Sequence, residues 1–192
     1  MKRKILFPVV MILMSLFALT SVALARSQDA KPQGTLVDTV RQATKNYKDV
    51  AAAESAGYGL FHGCVSGPQV GAMGIHFVNG DLVGDGLIDA VQPEALIYEL
   101  RNGKLQLVGV EYVVLAEAWD AAHETPPSLM GQVFHYVSAP NRYRIPAFYE
   151  LHVWAWKENP LGMFTDWNPK VSCENYTDRL ASENATTHNS GH

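Results

Sequence analysis

Two of the most hydrophobic segments of the chain contain ionisable residues that are costly to bury. Glu111 stands inside the apolar run 107–115, and Glu150 and His152 stand inside the run 149–156. A charged carboxylate that is removed from water is normally neutralised, paired, or used to hold a metal ion. These positions are therefore where chemistry should be sought.

A third apolar segment contributes His76, which two nearby glycines leave open to close approach. If the three strands lie side by side, His76, Glu111 and His152 converge. Two imidazoles and one carboxylate suit a divalent transition metal, namely Zn²⁺, Fe²⁺, Mn²⁺ or Cu²⁺, with positions left open for water or substrate. We therefore predict a metal site made by these residues, although they lack any HxH, HxxxH or HExxH spacing. His62, two residues before Cys64, is either a fourth ligand or a residue that lines the site.

The same residues also allow two interpretations without a metal. Strand histidines are often satisfied by hydrogen bonds, and strand glutamates by salt bridges, for which Arg101, Arg142 and Arg144 are available. The chain would then be a structural envelope protein. Alternatively, the residues would orient a small ligand against Trp154 and Trp167, in a metal-free binding module with an aromatic-lined pocket.

If a bound metal is catalytic, it would polarise a carbonyl group or activate a water molecule, with Glu150 or Glu99 as proton acceptor. His135 and Glu94 are weaker candidates, since the first suits a surface strand and the second a turn or cap. Nucleophilic catalysis and phosphate binding are not indicated, because the sequence has neither a GxSxG motif nor a glycine-rich phosphate loop.

One helix and several short strands must position these residues. Apolar positions recur at three- and four-residue steps over 35–56, which predicts one long helix that begins at Thr35 and ends at Gly57. Beyond it, β-rich runs alternate with turn residues, and Asn102-Gly103 predicts a hairpin. The pattern indicates an α+β domain, in which one N-terminal helix packs on a curved, mainly antiparallel sheet. The predicted strands are 58–65, 73–78, 95–100, 105–115, 131–136 and 148–157.

The ends of the chain have a different composition from its centre. Residues 1–25 are typical of an export signal, with a basic start, an apolar run and an Ala-Leu-Ala cleavage motif. Residues 26–34 have the composition of a mobile linker, 35–180 form a single domain, and 181–192 are predicted to be a disordered tail. We therefore expect a periplasmic or secreted protein with no stable membrane insertion after cleavage of the signal peptide.

The cysteines and the charge agree with this location. Cys64 and Cys173 are the only cysteines, so an exported chain should join them in one disulfide. Removal of Lys2, Arg3 and Lys4 with the signal lowers Lys+Arg from 15 to 12 against 19 Asp+Glu, and the formal charge from -4 to -7. This acidic balance argues against nucleic acid or an anionic membrane surface as a partner and is compatible with a small-molecule partner.

Five short motifs are distributed through the proposed domain, namely Gly71 to Asn79, Pro93 to Glu99, Leu107 to Tyr112, Leu151 to Trp154, and Asn168-Pro169. They resemble motifs of an uncharacterised group of small exported bacterial proteins. The resemblance covers roughly residues 35–173, which is nearly the whole proposed domain. It implies a bacterial, exported origin, and it implies no activity, ligand or catalytic residue.

Overall fold

A computed structural model describes residues 35–176 of the chain. The predicted export signal, the linker 26–34 and the tail 181–192 lie outside these residues. Among the described residues, no helix is long and apolar enough to cross a membrane.

The described chain begins with helices and continues mainly as strands, which confirms the predicted α+β class. In chain order the elements are α1 (Leu36–Thr44), a 3₁₀ turn (Lys45–Lys48), α2 (Val50–Ser55), β1 (Gly59–Gly67), β2 (Gly71–Val78), α3 (Gly80–Asp85), β3 (Ala95–Arg101), β4 (Lys104–Leu115), α4 (Ala116–Asp120), β5 (Ser128–Leu129), β6 (Gln132–Val133), β7 (His135–Val137) and β8 (Phe148–Val153).

Six of these strands form one curled antiparallel sheet in the order β1-β2-β3-β4-β8-β7, while β5 pairs only with β6. The β3–β4 connection turns at Asn102 and Gly103, whose φ angles are 51° and 72°. Two consecutive positive φ angles are what a two-residue hairpin loop of the favoured hand requires. The predicted hairpin is therefore confirmed.

The expectation of one long helix over 35–56 is wrong. Its start is confirmed, since Thr35 accepts a hydrogen bond from the Asp38 backbone amide, but α1 ends at Thr44. Asp49 has an extended ψ of 113° and its side chain accepts from the Ala51 amide, so it begins a second helix instead of continuing the first. Between the two helices, the Tyr47 carbonyl accepts a hydrogen bond from the Tyr98 hydroxyl at 2.6 Å.

Two predicted strands are also shorter than expected. The run 131–136 divides between β6 and β7, because the Phe134 amide donates to the Pro127 carbonyl instead of continuing the main sheet. The run 148–157 ends at Val153, after which the Trp154 amide donates to the carbonyl of Met163. The chain then crosses towards the helices, where the Ala155 carbonyl accepts from Arg41 at 2.7 Å.

Alternation of side chains along the strands gives the main sheet two different faces. One face packs against α1 and α2 as the main core. The other face carries a smaller cluster around Trp154, and Trp154 packs on Gly109. A Cβ atom at position 109 would lie 2.9 Å from the Val153 carbonyl oxygen and 3.4 Å from the Trp154 ring. Glycine is therefore required there. The main core includes Leu36, Val40, Ala53, Ile75, Phe77, Leu96, Tyr98, Val110, Tyr112, Val114, Leu151 and Val153.

The predicted disulfide is present. Cys64 in β1 is bonded to Cys173, with 5.5 Å between the two Cα atoms and a sequence separation of 109 residues. The bond ties the segment that follows β8 back to the first strand.

Replacing both cysteines, as Cys64→Ser with Cys173→Ser, should lower the free energy of unfolding by about 4 kcal/mol, because a crosslink over a long loop restricts the unfolded chain. Urea unfolding followed by tryptophan fluorescence would measure the loss. Equal stability of the double variant and the oxidised wild type would contradict this role of the disulfide.

Candidate metal centre

The three residues predicted to bind metal lie on neighbouring strands and share one face of the sheet. His76 is in β2, Glu111 is in β4, and His152 is in β8 directly opposite Glu111. Strand β3 separates β2 from β4. Adjacent strands are about 4.8 Å apart, so a contact between His76 and Glu111 has to pass over β3.

A small residue in β3 leaves room for that contact. Ala95 lies opposite Glu111 of β4 on one side and opposite Val78 of β2 on the other. Val78 is two residues after His76 in the same strand. Its methyl group is too short to fill the space above the strand. The side chains of His76 and Glu111 meet in this space, with His76 Nε2 3.4 Å from Glu111 Oε2.

His152 completes a group whose geometry suits a metal ion. One ligand atom from each of His76, Glu111 and His152 lies within 4.8 Å of the other two. The two imidazole rings are 6.1 Å apart between centroids and nearly perpendicular, at 89°. All three residues are buried, with exposed fractions of 5%, 7% and 1% respectively. Two imidazoles and a carboxylate in this arrangement can bind one divalent ion and leave coordination positions free.

The nitrogen atoms of these histidines lack ordinary partners. Within residues 35–176, His76 Nδ1 and both ring nitrogens of His152 are buried without a hydrogen bond of ordinary geometry, although Asp166 Oδ1 lies 3.5 Å from His152 Nδ1. The ion pairs of that region also place no lysine or arginine on Glu111 or Glu150. Buried polar atoms are rarely left unsatisfied. A cation bound here would provide a partner for one ring nitrogen of each histidine.

A second group overlaps the first at His152. One ligand atom from each of Glu150, His152 and Asp166 also lies within 4.8 Å of the other two. Asp166 Oδ1 is 3.5 Å from His152 Nδ1 and 3.3 Å from His135 Nδ1. Sequence reasoning missed Asp166, and the signal that could have found it is a carboxylate in the turn-rich, aromatic segment 159–169.

The two buried histidines have opposite pKa shifts. Burial lowers the pKa of His76 to about 4, although the Glu111 carboxylate acts against this shift. Burial also acts to lower the pKa of His152, but the charges of Glu111 and Asp166 outweigh it and raise that pKa above its usual value. His76 is therefore a neutral ligand at pH 7, while the raised pKa of His152 favours its protonated form, with which a metal ion would compete.

The carboxyl groups of Glu150 and Asp166 also have opposite pKa shifts. Burial, together with the nearby charge of Glu111, raises the pKa of Glu150 to about 10. Burial also opposes ionisation of Asp166, but His152 and His135 hold its pKa below the usual range. In the metal-free protein, Glu150 is therefore protonated and Asp166 is charged. A protonated Glu150 can donate a proton, whereas the sequence predicted it as a proton acceptor.

A cavity reaches the first group from outside. Its volume is about 440 Å³, and His76 and Glu111 are among its lining residues. His62 and Tyr143 also line it, and His62 Nε2 lies 3.2 Å from the Tyr143 carbonyl oxygen. His62 is outside both metal-ligand groups, so the structure places it at the cavity and not among the three converging ligands.

Two glutamates that the sequence suggested for chemistry have structural contacts instead. Glu99 pairs with Lys157 at 2.5 Å and accepts from the Ser172 amide at 3.1 Å, so it is not free to act as a proton acceptor at the site. Glu94 accepts from the Val113 amide at 3.0 Å, beyond the point where the β3–β4 pairing ends. Burial raises the pKa of Glu94 to about 8. Its capping role agrees with its position at the start of a strand.

The tryptophans do not form the expected ligand wall. Trp154 is only 1% exposed and donates its indole N–H to the Thr165 carbonyl, so it has no surface to offer a ligand. Trp167 is partly buried beside Gly67 and Arg142. Neither is among the described residues that line the cavity.

Of the three arginines predicted as counter-ions, only Arg101 reaches a buried glutamate, and that glutamate is Glu99.

The raised pKa of Glu150 predicts a pH dependence of stability. The folded protein keeps a proton that the unfolded chain loses above about pH 4.5, so the free energy of unfolding should fall as pH rises towards about 10. Because an amide cannot ionise, Glu150→Gln should remove a slope of up to about 1.4 kcal/mol per pH unit between about pH 6.5 and 9. Urea unfolding with a chelator present would measure it.

The exposed Glu124 provides a control, since Glu124→Gln changes no buried charge. If the Glu150→Gln slope matched the wild-type slope, the buried, protonated carboxyl group would be contradicted.

Comparisons with protein-family models, with curated proteins and with solved structures each find no match. The functional inference therefore depends on the geometry of the site.

Proposed function

We propose that this chain is an exported metal-binding protein whose divalent transition-metal ion is bound by His76, Glu111 and His152. One observation carries the proposal: three ligand atoms from three strands lie within 4.8 Å of one another in a buried position. Such a convergence of ionisable groups is costly unless they share a bound cation.

The protonation pattern is one in which a metal ion would exchange with protons. In the metal-free protein the charge balance depends on a proton on His152 and a proton on Glu150, as their raised pKa values indicate. Neither residue has a lysine or arginine partner among residues 35–176. A metal ion would take the place of these protons, so binding should release protons and strengthen with pH.

The donor set also defines the chemistry that an ion could supply. With three protein ligands, an ion keeps at least one position for water or substrate, where it polarises a carbonyl group or lowers the pKa of bound water. The cavity gives small molecules access to His76 and Glu111. Glu150, next to Glu111, would carry the proton in such a reaction, as a donor from its protonated state.

One structural observation supports export. The Cys64–Cys173 disulfide is typical of proteins that fold in an oxidising compartment. We further propose that the chain shares the exported location of the small bacterial proteins that its motifs resemble.

A metal-free binding module is the second candidate function, and the apolar lining of the cavity favours it. Side chains such as Val78, Leu115 and Phe148 line the cavity beside His76 and Glu111. Those two residues could then orient a polar group of the ligand by hydrogen bonds. The two candidates differ in whether the purified protein contains metal.

Protein purified without a histidine tag or chelator should contain close to one transition-metal ion per chain, as measured by elemental analysis. His152→Ala should lose most of that metal, because it removes the residue common to both ligand groups. Glu111→Gln, which preserves side-chain size, should weaken metal binding by at least tenfold, since a neutral amide replaces the anionic ligand.

His123→Ala is the matched control, because His123 is exposed, stacks on Trp119 and belongs to neither ligand group. Its metal content should equal that of the wild type. Wild-type protein that is folded but free of metal after gentle preparation would exclude the metal-binding function and favour the binding module.

A further inference from the structure

The cavity beside the metal-ligand residues has an apolar wall on every element that contributes to it. The lining residues come from β1, β2, α3, the end of β4, the segment before β8 and the start of β8. They include Leu60, Val83, Val113, Leu115, Ile145 and Phe148. At about 440 Å³, the cavity is in the lower part of the range of about 300–1,000 Å³ that small-molecule sites occupy.

The cavity has a buried polar end and an exposed apolar end. His76 and Glu111 are almost fully buried, whereas Leu60 and Phe61 are 54% and 36% exposed. A molecule that enters past Leu60 and Phe61 would therefore bury its apolar part along the walls before a polar group reaches His76 and Glu111. Removal of apolar surface from water is the main source of affinity in such a site.

The charges around the cavity restrict its ligand. No lysine or arginine is among the described lining residues, whose ionisable members are His62, His76, Glu111 and Tyr143. A nucleotide or another polyanion would find no matching charge. One oxygen-donor group could be accommodated at the buried end, because a metal ion bound there would balance its charge.

The rim is built by an irregular stretch of β1. The pairing of β1 with β2 shifts register between Leu60 and Cys64, and His62 lies within this shift with a φ of 48°. A positive φ in a residue other than glycine costs free energy and persists where the surroundings require it. Here the ring of His62 packs edge-on against Phe61 and Tyr143, with centroid distances of 4.8 and 5.8 Å. The irregular backbone at His62 thus places its ring against both Phe61 and Tyr143, which lie on the two sides of the cavity entrance.

From these observations we infer that the cavity binds a small, mainly apolar molecule that carries one oxygen-donor group, such as a carboxylate or hydroxamate, with this group directed at the metal ligands. The inference rests on the proposed metal-binding function and adds the class of ligand to it.

Two hydroxamates that differ only in chain length test the ligand class. Both acetohydroxamate and octanohydroxamate present the same metal-binding group, but only the second can fill an apolar cavity. Calorimetry on the metal-loaded full chain should give a Kd at least tenfold lower for octanohydroxamate, because each buried methylene favours binding.

Helix α3 offers a matched pair of variants. Gly80 lines the cavity and Gly84 does not, and a Cβ atom at either position would meet no atom within 4 Å. Because Gly80 lies on the cavity wall, Gly80→Leu should narrow the cavity and remove most of the chain-length preference, while metal content and acetohydroxamate affinity stay unchanged. Gly84→Leu should bind both probes as the wild type does. If Gly80→Leu fails to fold, Val83→Phe on the same helix is a second variant that reduces the cavity.

Elemental analysis of each sample separates this inference from the proposed function. Normal metal content with equal affinities for the two hydroxamates would overturn the apolar ligand class and leave metal binding intact. Equal effects of Gly80→Leu and Gly84→Leu would overturn the cavity as the binding site. Wild-type protein without metal would overturn the proposed function and, with it, a ligand that binds through the metal.

Discussion

Four ionisable side chains that share one face of a single sheet impose the main constraint on this structure. His76, Glu111, Glu150 and His152 are all buried, and each loses hydration when the chain folds. Protons on Glu150 and His152 reduce the repulsion in the metal-free protein. They do not supply the missing partners of the histidine nitrogens. A bound cation would offset the charge of the carboxylate and give one ring nitrogen of each histidine a partner, which is why metal binding follows from burial more directly than from any sequence motif.

The opposite face of the sheet explains how the fold tolerates this cost. There, Val40, Ile75, Leu96 and Val110 have no exposed surface and pack in the main core between the sheet and the first two helices. The stability of a domain is a small difference between large terms, so a polar cluster is sustainable only where apolar burial elsewhere offsets it. Side-chain alternation along the strands lets one sheet meet both requirements, with an apolar face towards the helices and an ionisable face towards the cavity.

Local sequence patterns predicted which helices and strands form better than they predicted where these elements end or what they contact. Hydrophobic runs identified the principal strands, and Asn102-Gly103 identified the hairpin, because these signals act between neighbouring residues. The break at Asp49 was not predicted, since capping competes with helix periodicity through one side-chain hydrogen bond. Apolar context singled out His76, Glu111 and His152. Their approach across β3 depends on the strand order and on the small side chain of Ala95. The spacing of residues along the chain does not encode the strand order.

Asp166 illustrates why the remainder of the site needed the structure. It belongs to a loop, and its position beside His152 depends on how that loop is tied to the sheet. Glu99, which the sequence suggested as a proton acceptor, provides this tie: one of its oxygens pairs with Lys157 and the other accepts from the Ser172 amide. The two contacts fasten both ends of the segment that contains Asp166. A carboxylate expected to take part in chemistry thus acts at a distance, by holding in place the loop that brings another carboxylate to the histidines.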